Sequence, residues 1–364
     1  MSGIGLTGNI LKTLETSSSV GMFARDTGGC LLARLSVSRS SDESREISIA
    51  ELTESALFYF SAPFFAKGSA GIFSKKLGIE KELMTKPMQE MENIDKNLKK
   101  KIKLGKFGQI ASAFGIILPA VFAIAPIRNM VTLGKTGKEN FTNVVELDKT
   151  KHEQKTEQAK EKAKSLCKKL SIIAASSIGA VIGVLSLSKN KNFYKKIEPL
   201  IDKTIKHFDF TKSGDLELKH YGALIYPVSI ASYFYASRDK YEVQENARRF
   251  SITVPLMFFG ERLIQNPIHK TADRIFGTDI FNKGNIKSYE DIIKMPDKKR
   301  KQAIKAKNAA YGTTFFINTM AIAAGVALLN RYETKKHYER EHKNDLKLIL
   351  NNTGDKPIWK DMKI

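Results

Sequence analysis

The chain has 364 residues, enough for one large or two ordinary domains, and carries 60 Lys+Arg against 38 Asp+Glu, a net charge of +22. Its two cysteines, Cys30 and Cys167, lie far apart and exclude both a disulfide framework and a zinc signature. The positive balance calls for a polyanionic partner, either anionic lipid headgroups or nucleic acid. Mean hydropathy is −0.26, but the apolar residues fall in blocks with the lysines between them, so segment pattern outranks the average.

Residues 1–47 read as a polar, Ser/Gly-rich segment. They lack the basic stretch and apolar run of a secretory signal, and Glu15 and Asp26 break the acid-poor composition of a transit peptide. GIGLTG (Gly3 to Gly8) matches a dinucleotide fingerprint in letters only, because no strand precedes it. RDTGGCLLAR (Arg25 to Arg34) reads as a turn in which Asp26 pairs locally with an arginine. Cys30 has no histidine before His152 to serve as its base. SVSRSSDESRE reads as a loop, and Ser48–Glu51 as the capping box that starts a helix.

That helix leads into a short apolar segment, 55–74, containing Pro63 and Lys67. Its uninterrupted run of 12 residues reaches only about 18 Å, short of a hydrocarbon core about 30 Å thick. It therefore reads as re-entrant or interfacial, as does a second proline-containing segment, 250–264. Four further stretches have spanning length: 107–127, 170–188, 221–237 and 309–330. The first crosses fully or bends back at Pro119; a full crossing is the preferred reading.

Three spans are entered through lysine-rich runs of helix-forming composition, and Pro296–Asp297 makes a start for the last of them. Connections 67–106, 128–169, 189–220, 238–308 and 331–364 hold 11, 11, 8, 16 and 9 Lys+Arg, so orientation is weakly fixed. A hairpin of 170–188 with 221–237 would put 128–169 and 238–308 on one side. The last segment, 331–364, reads as a basic polar tail.

Within the spans, Ala175, Gly179 and Gly183 repeat every four residues, and Ala321 and Gly325 repeat the pattern once. Small residues at this spacing let helix backbones approach closely, within the chain or in a homo-oligomer. Polar residues at membrane depth are Lys67, Gln109, Asn318 and the Glu261–Arg262 pair, the charged ones being read as boundary groups that snorkel to headgroups. Asp209 to His220 imitates a calcium loop but has His220 where the bidentate glutamate belongs, so it reads as a polar turn. HYEREH (His337 to His342) and His152–Glu153 lack zinc spacing.

The sequence therefore describes an all-α, polytopic helical membrane protein with about four transmembrane helices and two short proline-containing segments. No catalytic residue, cofactor or metal ligand is identifiable. The expected partners are the bilayer and its anionic headgroups, with a homo-oligomer through the small-residue faces. The expected location is a bacterial-type cytoplasmic membrane in preference to the mitochondrial inner membrane. A structural or interaction role leads. A small transporter is the alternative, motivated by the resemblance of FYFSAPFFAKG to FSITVPLMFFG. A peripheral nucleic-acid-binding protein is disfavoured, because the lysines border apolar blocks and lack interleaved aromatic stacking positions.

Overall fold

The computed structural model describes residues 21, 23–24, 26–86, 88–91, 94–136, 156–210, 220–282 and 285–343. A π-helical turn, Asp26–Leu31, leads into α1 (Leu32–Ser36). Then come α2 (Ser41–Leu77), α3 (Lys96–Thr136), α4 (Thr156–Leu187) and α5 (Lys191–Phe208). A second π turn (Tyr221–Ile225) opens α6 (Tyr226–Ala236), and α7 (Lys240–Gly260) passes through a third (Glu261–Gln265) into α8 (Asn266–Phe276). A two-stranded antiparallel ribbon, Phe281–Asn282 with Asn285–Ile286, precedes α9 (Tyr289–Ile293). Last, α10 (Asp297–Phe315) runs through a fourth π turn (Phe316–Ala321) into α11 (Ile322–Glu341).

Three helical stretches are long and apolar enough to cross a membrane: Lys96–Thr136, Glu161–Leu187 and Asp297–Glu341. They contain three of the four stretches of spanning length. The fourth, 221–237, forms only a π turn and an 11-residue helix, because Ser237 leaves helical geometry and Asp239 accepts from the amides of Tyr241 and Glu242 to start α7.

Both short segments lie inside continuous helices. Pro63 sits within the 37-residue α2 and Pro255 within α7, so neither run turns back. Pro119 and Pro126 likewise lie inside α3, which runs straight through Phe107 to Ile127. The start of α2 is also earlier than the capping box at Ser48 implies. Ser40 is the N-cap and accepts from the Glu43 amide, while Ser48 donates back to the Ser44 carbonyl in mid-helix. At its other end Gly78, in the left-handed conformation, closes α2, and the Ile79 amide reaches the Ser74 carbonyl.

The core is built on α3. Its neighbour α2 runs antiparallel, so that Glu46 meets Arg128 at one end and Phe73 meets Gly108 towards the other. On the opposite flank α4 also runs antiparallel, and Lys100 at the base of α3 donates to the Ser188 carbonyl. The less exposed positions of α4 include Ala163, Cys167, Leu170, Ala174, Ser177, Val181 and Val184, spaced by alternating steps of three and four as along a coiled-coil face. A Cβ on Gly115 would stand 2.6 Å from the Ser177 Cβ, so α3 supplies the small residue that lets these helices close.

Towards the base of α3, α5 is an amphipathic cover burying Tyr194, Ile201 and Ile205. On the far side α7 packs along α11. A separate small core of Ala272, Ile280, Phe281, Ile292, Ala303 and Ala306 joins α8, the ribbon and α9 to the first half of α10.

A candidate ionic layer and its cavity

All the bundle helices except α4 and α5 end their apolar stretch at one level, and there the charges gather. Glu43, Glu46, Glu51 and Glu54 lie on α2 before its apolar half. Arg128 follows the apolar run of α3, and Arg238 follows α6. Glu242, Glu245, Arg248 and Arg249 precede the apolar half of α7, and Asn330 and Thr334 end that of α11. Helical periodicity turns each set inward, so partners distant in sequence meet.

The pairs are tight and multivalent. Arg238 donates from both terminal nitrogens to Glu46, at 2.8 and 2.9 Å, and from Nε to Glu242 at 3.1 Å. Arg128 reaches Glu242 at 2.6 Å. Arg39 spans Glu43 and Glu245, with 3.0 Å from Nε to Glu43 and 2.8 and 3.1 Å to the two Glu245 oxygens. Arg248 donates to Asn330 and Thr334, at 3.0 and 3.2 Å. Arg34 pairs with Glu51, and Arg249 lies over the rings of Tyr233 and Phe250, at 4.8 and 5.2 Å. Six of the chain's 13 arginines are in this layer, whereas its 47 lysines lie mainly in the helix ends and connections. The planar guanidinium fork suits buried bidentate pairing, which explains the segregation.

Burial alone would raise the Glu242 carboxyl, but Arg238 and Arg128 beside it outweigh burial and hold it below the ordinary glutamate value. Glu43 is lowered in the same way, with Arg39 overcoming burial. Burial and the Arg249 guanidinium push Arg34 down to about 10. Because the two carboxyls are depressed in the fold, their stabilisation is complete above the unfolded value of about 4.3 and lost as pH falls through the folded values. The melting temperature in mild detergent is expected to be level from about pH 7 to 5 and to drop below about pH 4. A drop already between pH 7 and 5 would contradict this assignment.

Under the layer lies a cavity of about 250 Å³ whose wall includes Asp26, Arg34, Glu51, Glu54, Ser229 and Arg249. Two π turns pack together at its side: Gly29 of the first lies so close to the second that a Cβ there would stand 2.6 Å from Thr319 Oγ1. Asp26 accepts from the Tyr59 hydroxyl, so RDTGGCLLAR is part of a π-helical wall and its resolved bonds leave the segment.

Of the residues singled out by sequence, Asp26, Cys30, Arg34 and Glu51 line the cavity. The small-residue faces and the membrane-depth polar residues fall outside this site. Gly179, Gly183 and Gly325 have open space where a Cβ would be, and Ala175 and Ala321 are exposed, so these small-residue faces point away from the bundle. Gln109 is buried in the α2–α3 interface, where Nε2 donates to the Ala66 carbonyl and Ser69 Oγ at 3.3 Å. Lys67 is exposed on the outer face of α2, and Asn318 is half-buried in the fourth π turn. Glu261 and Arg262 lie in the third π turn, with side chains outside the described residues. Of the calcium-loop imitation, residues 211–219 are outside them too. Its ends are occupied: Asp209 pairs with the buried Lys106 at 3.2 Å, and His220 lies among Phe114, Phe208 and Phe210. Among the described residues no three His, Cys, Asp or Glu side chains are placed to hold a metal ion.

Apart from Asp26, Arg34 and Glu51, the ionic residues escaped the sequence reading. Their signal was the scarcity of arginine and its placement at the ends of apolar runs.

Fold and site together define a class: an all-α bundle with three helices apolar enough to span a membrane, closed at one end by buried ion pairs. Compared with protein-family models, with curated proteins and with solved structures, the chain matches none.

Proposed function

We propose that the chain is an integral membrane protein with a structural or interaction role at a membrane rich in anionic lipid, and that six apolar helical segments cross it. These are the apolar parts of α2, α3, α4, α6, α7 and α10–α11. The observation that carries this reading is a belt of exposed apolar side chains between the ionic layer and the lysine-rich opposite end. Phe60, Phe64 and Ile72 lie on α2, Ile172, Ile178 and Ile182 on α4, Phe258 and Phe259 on α7, and Leu328 and Leu329 on α11. Exposure on this scale in water would be an aggregation hazard; in lipid it is the expected surface.

The lysine runs beside the belt would each draw on anionic headgroups, at about 1 kcal/mol per residue near the surface. The outward stripe of Ala175, Gly179 and Gly183 fits close approach of a second copy. A second reading, a small transporter, is favoured by the polar cavity beneath the layer.

The membrane reading predicts retention of the chain in membranes washed with alkaline carbonate and high salt; release into the supernatant would overturn it. In this arrangement α7 carries the chain across, so 128–169 and 261–308 belong to opposite sides, unlike the sequence-based hairpin arrangement. Reporters fused after Thr136 and after Lys287 should therefore report different compartments. The same compartment for both would overturn the six-segment arrangement.

A further inference from the structure

The buried arginines are of two kinds. Arg39, Arg128 and Arg238 are held by carboxylates at hydrogen-bond distance and lock helices together. Arg34 and Arg249 line the cavity and are held more loosely. Arg249 stands 3.6 Å from Glu51 and 4.0 Å from Glu54, beyond hydrogen-bond reach, and Arg34 gives one nitrogen to Glu51. A guanidinium has five N–H donors, so both keep capacity directed at the cavity wall. On the acceptor side Glu54 takes a bond from Ser229 at 3.2 Å, leaving most of its lone-pair positions open.

The cavity is lined by ionic groups of both signs. On its wall Arg34, Arg39, Arg249 and Arg331 face Asp26, Glu43, Glu51, Glu54 and Glu245. A ligand of one sign would pair with one set of these groups and leave the open positions of the other set unpaired, which is costly. A ligand carrying both signs would not. At about 250 Å³ the space is below the usual size of a drug-like pocket and suits a solute of few heavy atoms.

We infer that this cavity binds a small zwitterion of free amino-acid size, its carboxylate on Arg34 and Arg249 and its ammonium on Glu54 and Ser229. The first π turn, which gives Asp26 and Cys30 to the wall, is its adaptable part, since such turns widen a helix locally and recur at functional sites. The inference goes beyond the membrane role and needs only the folded bundle.

Titration calorimetry on the full chain purified in mild detergent tests it, with glycine, L-alanine and L-serine as ligands and propionate and ethylamine as half-ligands. An amino acid should bind at least about tenfold more tightly than either half-ligand. Glu54→Gln and Arg249→Lys should each weaken it about ten- to hundredfold, the cost of one charge-assisted bond. Ser229→Ala, a milder change in the wall, should weaken it less and keeps the test open if a charged variant fails to fold. Ser177→Ala, in the α3–α4 seam, should leave it unchanged. Equal affinity for propionate, equal affinity for ethylamine, or no heat with any amino acid at millimolar concentration would each overturn the proposal. Because binding is read in micelles, its failure leaves the membrane reading intact, and release by carbonate leaves the binding result intact.

Discussion

Glu242→Ala is expected to destabilise the bundle by about 3–5 kcal/mol, the cost of breaking a buried ion pair from one side. The carboxylate is 3% exposed and accepts from Arg128, from the Arg238 guanidinium and from the Arg238 amide. Without it two arginines are left to share Glu46, which Arg128 approaches only to 3.7 Å. Glu198→Ala is the contrasting case. Its partner Lys103 also has Asp202, and Glu198 is only half-buried, so its loss should cost about 0–1 kcal/mol. Unfolding by denaturant titration in mild detergent measures both. Equal losses for the two variants would show that the layer contributes no more than a surface pair.

The second large effect is a matter of sign. Gly→Ala inside a helix normally stabilises by about 1 kcal/mol through helix propensity. At Gly115 the added methyl would meet the Ser177 Cβ at 2.6 Å, an atom fixed to the α4 backbone and unable to swing aside. Gly115→Ala is therefore expected to destabilise by about 1–3 kcal/mol, the usual cost of overpacking. Combining it with Ser177→Gly should recover most of the loss, less the helix penalty of the new glycine. A stabilising Gly115→Ala, or a double variant no better than the single one, would place the α3–α4 contact elsewhere.

How much of this was legible beforehand differs from residue to residue. The apolar stretches were, because a run of uncharged residues is a local property. So was the start of α10, where Pro296 is the N-cap as its place before Asp297 implied, though the helix passes Asn330 and continues into the presumed tail. The start of α2 was not. Both Ser40–Glu43 and Ser48–Glu51 have capping spacing, and the choice between them depends on Arg39 and Arg238, whose partners Glu43 and Glu46 must already be helical. Of the α3–α4 seam, the small-residue pair Ala111–Gly115 was visible in the sequence, but which helix it meets was not. Close approach needs a small residue on one helix only, and here Gly115 supplies it, leaving the glycines of α4 to face outward. The ionic layer was hidden by distance along the chain.

That distance bears on how the protein is made. Arg39 and Glu245 are 206 residues apart, and Glu46 and Arg238 are 192 apart. At translation rates of about 5–20 residues per second, Glu46 and Arg39 wait roughly 10–40 s for Arg238 and Glu245, whereas Glu43 and Glu51 already have Arg39 and Arg34. In the proposed membrane arrangement, Glu46 on α2 and Arg39 just before it stand for that interval with no α7 beside them. Their place before the apolar half of α2, at the headgroup level, lets water solvate them until the sixth and seventh helices arrive. In that arrangement the layer would be the last latch to close, and a chain stalled before α7 would present an unlatched end carrying both signs of charge to the cell's quality-control machinery.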